Sequence, residues 1–234
     1  MTIAIIGAGH VGQALAAGWA RAGRDIVLGI RPDRSADGPP TDDAPSARQA
    51  SPRDAAQAAS TVVLALPWAA AETALRALGD LTDKTVIDCM NPIVRTPDGM
   101  GLAVGHTWSG AEQVGHTWSG AEQVGHTWSG AEQVAQWLPG ANVVKTLNQV
   151  GAEVMADTSG FAMPPVMFMA GDDDAAKSIV AGLLTDLGFG PLDAGDLTKA
   201  RLLEPHALVW INQALQRGKG RNWAFAAIDR DDAS

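Results

Sequence analysis

Three features are scarce in this chain, and each shortage excludes a class of protein. It has one cysteine, Cys89, which excludes a disulfide framework within the chain and fits a reducing compartment. Lys and Arg number 17 against 26 acidic residues, giving a net charge of −9, so a nucleic-acid partner is not expected. No apolar run reaches the roughly 18–20 residues that a membrane span needs, so a membrane partner is not expected either.

The first twenty residues are apolar and rich in small side chains, as in a signal peptide. They lack a basic start, however, and glycines at positions 7 and 9 interrupt the apolar run. A buried strand followed by a helix accounts for the segment better, so we expect a cytoplasmic protein. With 234 residues, of which 46% are hydrophobic, the chain suits one large domain or one domain with a small second lobe.

Residues 105–134 consist of the unit GHTWSGAEQV, repeated three times without a change. One unit fits the flanking sequence, so we interpret the other two as an insertion. Each unit carries Ser-Gly-Ala-Glu, the pattern of a capping box. Only the third unit continues into AQWL, so it is predicted to start the longest helix of the three. The three histidines of the repeat are copies of one residue, so they predict no metal site.

The first two units are predicted to form short helical turns or ordered loop, with Trp108 and Trp118 buried against the body or a partner subunit. The insertion follows the strand that ends at Cys89, so its root should lie beside a pocket at the carboxyl edge of the sheet. Two alternatives stay open. The insertion reshapes or covers that pocket, or it is a tolerated surface loop, since loop-closure entropy grows slowly with length.

Elsewhere, apolar strands alternate with helical segments, which predicts a parallel sheet covered on both faces. The predicted fold class is α/β: a Rossmann-type, doubly wound, mostly parallel sheet with a small C-terminal α/β lobe. We place the domains at residues 1–147 and 148–234. The predicted strands are Ile3–Ile6, Asp25–Ile30, Thr61–Leu66, Lys84–Cys89, Asn142–Leu147 and Val166–Ala170. The predicted helices are His10–Ala22, Pro52–Ala59, Ala69–Leu78, Asp173–Leu187 and Leu197–Gln216, the last with a kink or break at Pro205.

The segment GAGHVG, residues 7–12, has the GxGxxG pattern, directly follows a strand and opens a helix. In this context Gly7 permits the tight turn, Gly9 leaves room for a pyrophosphate, and Gly12 lets the helix approach the strand. The helix N-terminus then presents free N–H groups and the positive end of its dipole to the phosphates. The alternative is a tight strand-to-helix turn that binds no ligand.

The end of the second strand decides between NAD and NADP. An NAD-binding protein usually has an acidic residue there, about 20 residues beyond the glycines, that binds the ribose 2′-hydroxyl. This chain has Arg31 and Arg34 instead, with Asp33 between them. Guanidinium groups suit the 2′-phosphate of NADP, so NADP(H) is the predicted cofactor. A solvated arginine pair on a loop is the alternative.

Longer blocks make the chain resemble a known family, the F420-dependent NADP oxidoreductases, over nearly its whole length apart from the inserted units. The block PLDAGDLTKARLLEP is more specific than the glycine pattern, which many families share. The similar blocks are the glycine loop, Arg31, LALPWAAA, KTVIDCMNP, VVKTLNQVGAEVM, AGDDDAAK, PLDAGDLTKARLLEP and GRNWAF.

The resemblance implies roles for individual residues, all at the carboxyl ends of the strands. The pyrophosphate would contact Gly9, His10 and Val11, and the 2′-phosphate would lie among Ile30, Arg31, Arg34 and Ser35. The nicotinamide pocket would be lined by Leu66, Pro67, Trp68, Asn91 and Pro92, with Asn148 and Ala152 facing the acceptor. Two positions differ from the family pattern: Ile30 stands where serine is frequent, and Asn148 stands where archaeal members have histidine.

Hydride transfer requires a dry pocket that holds the donor and acceptor carbons together, while the cofactor supplies the chemistry. A carbonyl or imine acceptor would also need a proton donor. The chain has no tyrosine, which excludes the Tyr–Lys pair of short-chain dehydrogenases. Lys145 is more typical of a salt-bridged structural lysine, and His206 of a core or helix-surface histidine. The candidates that remain are Asn148, Lys145, Glu204 and His206.

The sequence therefore predicts an NADPH-dependent oxidoreductase that transfers hydride between NADP(H) and a flavin-like, F420-type acceptor or a small organic acceptor. Two alternatives remain: a non-catalytic NADP(H)-binding redox sensor, and a reductase of a small carbonyl or imine substrate reshaped by the insertion. A homodimer is also predicted, because the stretch Leu202–Leu215 and the later GRNWAFAAI offer more apolar surface than a small lobe can bury.

Overall fold

The computed structural model describes residues 1–31, 47–96, 99–103 and 128–230. Within them, eight strands form one sheet and two more form a hairpin. The strands are β1 (Thr2–Ile6), β2 (Asp25–Gly29), β3 (Arg48–Ala50), β4 (Thr61–Leu64), β5 (Thr85–Asp88), β6 (Ile93–Thr96), β7 (Gly99–Leu102), β8 (Asn142–Lys145), β9 (Val166–Gly171) and β10 (Gly190–Asp193). The helices are α1 (His10–Arg21), α2 (Pro52–Ala58), α3 (Trp68–Arg76), α4 (Gly130–Trp137), α5 (Ala152–Ala156), α6 (Asp174–Asp186) and α7 (Ala200–Ile211). A 3-10 turn at Leu197–Lys199 precedes α7, and a π-helical turn at Asn212–Gln216 follows it.

The main sheet has the strand order β10-β9-β8-β5-β4-β1-β2-β3. Neighbouring strands are parallel except β8 and β9, which pair antiparallel. The chain leaves β1 toward one edge through β2 and β3, then returns to the other side of β1 with β4, as in doubly wound folds. The predicted Rossmann-type, mostly parallel sheet is confirmed.

The C-terminal lobe extends the same sheet. Its strand β9 pairs with β8 at Val144–Gly171 and Lys145–Ala170, and β10 pairs with β9. The lobe also supplies α5, α6 and α7. The division between residues 147 and 148 stays a prediction, because one continuous sheet crosses it.

The core has two layers, one on each face of the sheet. Successive residues of β1 point to opposite faces. Ile5 packs with residues of α1 and α6, whereas Ala4 and Ile6 pack with α2, α3 and α4, and all three are buried. On the first face, Trp19 Nε1 donates to the carbonyl oxygen of Leu183, 2.9 Å away, and so joins α1 to α6.

Four strands end earlier than predicted: β2 at Gly29, β4 at Leu64, β5 at Asp88 and β8 at Lys145. The residues that follow them leave the sheet at its carboxyl edge, where they build the candidate site. Sequence patterning missed β3, β10, α5 and the β6–β7 hairpin, none of which has an element longer than 5 residues. Segments this short carry too few residues to show a periodic pattern.

The helical segment does not break at Pro205, because α7 continues through it as one helix, and the alternative of a kink stays a prediction. Proline has no N–H, so the helix loses one hydrogen bond, to the carbonyl of Arg201. Leu203 and Ala207, on either side of the proline, are both buried. Their packing outweighs the missing hydrogen bond.

Candidate functional site

The glycine loop connects the carboxyl end of β1 to α1. Gly7 has a φ of 110°, a left-handed conformation that favours glycine, and a Cβ there would lie 2.3 Å from the carbonyl oxygen of Ala65. A Cβ on Gly12 would lie 1.9 Å from the Gly7 carbonyl oxygen, so glycine alone lets the helix pack this closely. Gly9 differs: within the described residues, no neighbouring atom lies within 4 Å of its Cβ position.

Gly9 is also the N-cap of α1, and no side chain caps that end within the described chain. The first turn begins with the exposed His10 and the half-buried Val11, and it contains no acidic residue. Backbone N–H groups and the positive end of the helix dipole therefore lie beside the open space at Gly9. This end fits a pyrophosphate, because it combines room and donors with a first turn that has no acidic residue.

The tip of β2 lies next to the glycine loop, because the Gly7 N–H donates to the last carbonyl oxygen of β2 at 3.3 Å. Ile30 follows, and its N–H donates to a carbonyl of β3 at 2.9 Å. Arg31 comes next and is exposed at the same edge. The structure thus places Ile30 and Arg31 beside the glycine loop, whereas Arg34 and Ser35 lie outside the described residues.

A largely apolar wall follows the carboxyl ends of β4 and β5. Leu66 and Trp68 are half-buried at the turn into α3, and Pro92 is buried after β5. Gly130, at the start of α4, backs this wall, since a Cβ there would lie 3.2 Å from Trp68 Cη2 and 3.2 Å from Pro92 Cγ. Two of the predicted nicotinamide residues, Trp68 and Pro92, therefore come together here, whereas Pro67 is exposed.

Asn91 and Asn148 join the segments after β5 and β8 by a reciprocal pair of hydrogen bonds. Asn91 Nδ2 donates to the Asn148 carbonyl oxygen at 2.8 Å, and Asn148 Nδ2 donates to Asn91 Oδ1 at 3.1 Å. Asn148 Nδ2 also donates to the carbonyl oxygen of Leu203 at 3.1 Å, and Asn148 Oδ1 accepts from Gln149 Nε2 at 3.1 Å. Both N–H groups of Asn148 are engaged by the protein, which suits a brace better than a proton donor.

Three charged side chains, Asp88, Lys145 and Glu204, are buried next to this brace. Lys145 Nζ lies 3.0 Å from Asp88 Oδ2 and 3.3 Å from Glu204 Oε1, and it also donates to the carbonyl oxygen of Met90. Burial alone would lower the pKa of Lys145, but the charges of Asp88 and Glu204 raise that pKa above its ordinary value. The expectation of a salt-bridged lysine at position 145 is confirmed.

Glu204 also holds the start of α4. Its Oε2 accepts the N–H of Gly130 at 3.0 Å, and its Oε1 accepts the N–H of Ala131 at 3.1 Å. The carboxylate thus binds two further N–H groups of the first turn, in addition to the one that a cap within the helix's own sequence binds. The side chain predicted as a candidate acid is engaged by α4 and by Lys145.

The third repeat unit is attached to α7 through its Ser-Gly-Ala-Glu segment. Ser129 and Glu132 form the predicted capping box, which is confirmed. Arg201 Nε donates to Glu132 Oε2 at 2.9 Å and ties the box to α7. Residues 104–127 lie outside the described residues, and so do the predictions for the first two units and for Trp108 and Trp118.

His206 is the fourth catalytic candidate. Its ring meets Phe168 edge-on, with 5.6 Å between ring centroids, and lies 4.4 Å from the ring of Phe225. His206 Nδ1 is buried and has no hydrogen-bond partner among the described residues. Burial lowers the pKa of His206, so the ring is neutral near pH 7. The ring lines a cavity of about 290 Å³ with Phe168, Ala194, Leu202 and Leu203.

Ala152 is buried at the start of α5, which packs against α1. The C-terminal segment returns to this region, because Arg221 Nε donates to Glu153 Oε1 at 2.7 Å. Two residues later, the carbonyl oxygen of Trp223 accepts from Trp210 Nε1 at 2.8 Å. Ala152 is therefore buried next to Glu153, the residue of α5 that binds the C-terminal segment.

Cys89 is not placed for chemistry. Its thiol donates to the carbonyl oxygen of Leu64 at 2.8 Å, and burial raises the pKa of the Cys89 thiol to about 12. Among the described residues, no cluster of three His, Cys, Asp or Glu side chains is placed to hold a metal ion. The described helices include none that is both long and apolar enough to cross a membrane.

A doubly wound sheet with an open, uncapped glycine loop at its carboxyl edge defines a Rossmann-type dinucleotide-binding protein. The sequence profile of the family described as "NADP oxidoreductase coenzyme F420-dependent" matches residues 2–92. A protein of Arthrobacter sp. FB24, named as an F420-dependent NADP-reductase, is 31% identical with a TM-score of 0.80, and the match covers 97% of this chain and 99% of that chain. The chain belongs to this family, and it is an NADP-dependent oxidoreductase by class.

Two further structures are similar. A protein of Sinorhizobium meliloti is 29% identical with a TM-score of 0.63, and the match covers 85% of this chain and 86% of that one. A reductive aminase of Aspergillus terreus shares the fold at 19% identity with a TM-score of 0.60, over 93% of this chain and 62% of the aminase. Likeness at that identity concerns the fold alone.

Sequence analysis missed three residues of the site: Asp88, Gly130 and Arg201. For Asp88 a signal was available. The strands TVID and NVVK are otherwise without charge, and each ends in a charged residue of opposite sign. Those two residues, Asp88 and Lys145, are direct register partners on neighbouring strands. For Gly130 and Arg201 no local signal exists, because their roles depend on contacts between α4 and α7.

Proposed function

We propose that this chain transfers hydride between NADP(H) and a flavin-like, F420-type acceptor or a small organic acceptor. The observation that carries the proposal is the open space beside Gly9, at an uncapped helix N-terminus without an acidic residue. Arg31, at the neighbouring tip of β2, supports NADP(H) over NAD(H), because a guanidinium group suits a 2′-phosphate. The match to the Arthrobacter protein, which is named as an F420-dependent NADP-reductase, also supports it.

When bound, NADPH supplies the hydride. The chain must hold the reacting carbons together and keep water away from them. The wall of Leu66, Trp68 and Pro92 suits the second task, because it is largely apolar. The Asn91–Asn148 brace suits the first, since it fixes the segments after β5 and β8 relative to each other.

The acceptor decides whether a proton donor is needed. A flavin-like acceptor needs none in the transfer step, whereas a carbonyl or imine does. Asn148, Lys145 and Glu204 have their polar atoms engaged by protein groups. His206 keeps a nitrogen without a partner among the described residues and borders a cavity. We assign to His206 the hydrogen bond to an acceptor that needs one.

Anaerobic oxidation of NADPH by the purified protein tests the proposal, with F420, FMN, quinones, aldehydes and imines offered as acceptors. We expect turnover with at least one of them and much weaker turnover with NADH. His206→Phe keeps an aromatic ring and removes the nitrogens, so it should abolish turnover of aldehydes or imines and spare that of F420. Tight NADPH binding with no turnover on any acceptor would favour the redox sensor instead.

We also propose that the C-terminal helical segment forms a homodimer. Leu202, Val209 and Leu215 are 61%, 51% and 55% exposed, which leaves apolar surface for a partner. Trp210 and Ile211, in the same segment, are buried within the chain, so the available surface is smaller than the sequence suggests. Light scattering at micromolar concentration should give twice the chain mass, and a particle of 24.2 kDa would reject the dimer.

A further inference from the structure

The buried charges behind the apolar wall do not balance. Asp88 and Glu204 carry one negative charge each, and Lys145 carries one positive charge. Both carboxylates accept hydrogen bonds from the protein. Asp88 accepts from the Met90 N–H at 3.0 Å and from Lys145, and both oxygens of Glu204 accept backbone N–H groups of α4. The cluster therefore holds one negative charge in excess.

The start of α4 offsets only part of this excess. A helix N-terminus carries about half a positive charge, presented to Glu204 by the N–H groups of Gly130 and Ala131. Arg201 is near, but its guanidinium is paired with Glu132. A net negative charge remains, buried where the dielectric constant is low and salt screens little.

This charge lies directly behind the wall. A Cβ built on Gly130 would be 3.1 Å from Glu204 Oε1, 3.2 Å from Pro92 Cγ and 3.2 Å from Trp68 Cη2. The Cβ position of Gly130 thus lies against the carboxylate of Glu204 and against two side chains of the wall. On the side of β5, Lys145 holds the carbonyl of Met90, two residues before Pro92.

We propose that the buried charge makes this pocket favour the oxidised nicotinamide ring over the reduced ring, an inference that rests on the proposed function. The reduced ring is neutral. When hydride leaves its C4 atom, both electrons of the C–H bond go to the acceptor with the hydrogen, and the ring becomes a cation. A fixed negative charge behind the wall stabilises that cation, and it lowers the barrier as the positive charge develops.

An electrostatic effect can be separated from a loss of shape. Distortion of the wall weakens the binding of oxidised and reduced cofactor alike. Removal of one negative charge weakens NADP⁺ more than NADPH, because only the oxidised ring carries the additional positive charge. A unit charge in a protein interior changes such a ratio by roughly tenfold.

The experiment measures the dissociation constants of NADP⁺ and NADPH by calorimetry, without an acceptor. The wild-type chain should bind NADP⁺ at least as tightly as NADPH. Glu204→Gln keeps the side-chain size and should raise the ratio Kd(NADP⁺)/Kd(NADPH) by about three- to tenfold. Asp88→Asn should raise it in the same direction. Glu132→Gln is the matched control, since it removes a carboxylate at the same helix start whose ion pair with Arg201 is partly exposed to solvent, and it should raise the ratio less than Glu204→Gln does.

An unchanged ratio in both Glu204→Gln and Asp88→Asn would overturn the inference, as would an equal rise in Glu132→Gln. If neither charge variant folds, the wild-type ratio decides, and a wild-type chain that binds NADPH about tenfold more tightly than NADP⁺ would overturn it. A wild-type chain that binds neither nucleotide would instead overturn the proposed function. Binding of both without a charge effect would leave the proposed function standing.

Discussion

The two ends of the candidate site are built in opposite ways. At Gly9, the chain offers backbone N–H groups and open space, with no acidic residue in the first turn of α1. At Lys145, where β5 and β8 end, buried side chains fill the space and bind one another. The first end offers room and donors to a ligand, whereas the polar groups of the second end are bound by other groups of the chain.

Desolvation explains the difference. Backbone N–H groups at a surface helix end are hydrated until a phosphate replaces the water, so they need no partner from the chain. A charge buried behind an apolar wall has no water, so the chain must supply every partner. Substitutions at the charge cluster should therefore lower the stability of the fold. Substitutions in the glycine loop should instead weaken the binding of the cofactor.

The largest expected effect tests the charge cluster. Lys145→Met should lower the free energy of unfolding by about 3–5 kcal/mol, because it leaves two buried carboxylates without their cation. Urea unfolding measures the change. Lys177→Met is the matched control, since its partners Asp174 and Asp193 are exposed, and it should cost less than about 1 kcal/mol. Equal losses of stability in the two variants would contradict the claim that Lys145 matters more because its partners are buried.

The next effect tests the phosphate end. Replacing Arg31 and Arg34 together by Ala should weaken NADPH binding by about 1.5–3 kcal/mol per lost charge-assisted contact. NADH has no 2′-phosphate, so its binding should change little. Calorimetric titration with both nucleotides measures the difference, and the urea midpoint should stay near that of the wild type. Equal losses for NADPH and NADH would contradict the assignment of the arginines.

Two glycines of the loop are expected to respond differently to replacement by alanine. Gly12→Ala places a Cβ against the Gly7 carbonyl oxygen and should cost about 1–3 kcal/mol of stability as well as binding. Gly9→Ala meets no atom of the described chain, so its melting temperature should stay near the wild-type value while NADPH affinity falls. A Gly9→Ala variant with unchanged affinity would show that the open space is not the pyrophosphate position.

The smallest effect on folding is expected for the repeat. Deleting 20 residues, two of the three units, leaves 214 residues and should leave folding and NADPH affinity unchanged, because the described contacts of α4 come from the third unit. Loss of turnover with NADPH affinity retained would support a role of the insertion at the acceptor pocket. An unchanged acceptor profile would show that the insertion does not determine which acceptors react. Loss of folding would contradict the attachment through the third unit alone.

Local patterns made the phosphate end predictable. The glycines, the strand before them and the helix after them lie within the first 21 residues, so spacing alone defines the turn. The capping box of the third unit is local in the same sense, because Ser129 and Glu132 are three residues apart. The apolar strands of the sheet could be predicted from their composition and from their alternation with helices.

The charge cluster could not be predicted in this way, because its contacts join distant parts of the chain. Glu204 was visible as a candidate acid, but the N–H of Gly130 that it binds lies 74 residues away. Asn148 was expected to face the acceptor. No residue near it in the sequence predicts that its hydrogen-bond partners are Asn91 and Leu203. A candidate side chain therefore cannot be distinguished from a structural one until its hydrogen-bond partners are known.

The attachment of the third unit at its own capping box has a consequence for evolution. Identical tandem copies are gained and lost by replication slippage, yet whichever copy comes last always precedes Ala135. The docking residues Ser129–Glu132 thus keep the same sequence and the same downstream neighbours for any number of copies. Selection can therefore vary the length of this segment in ten-residue steps while the strand that follows it stays in register with the sheet.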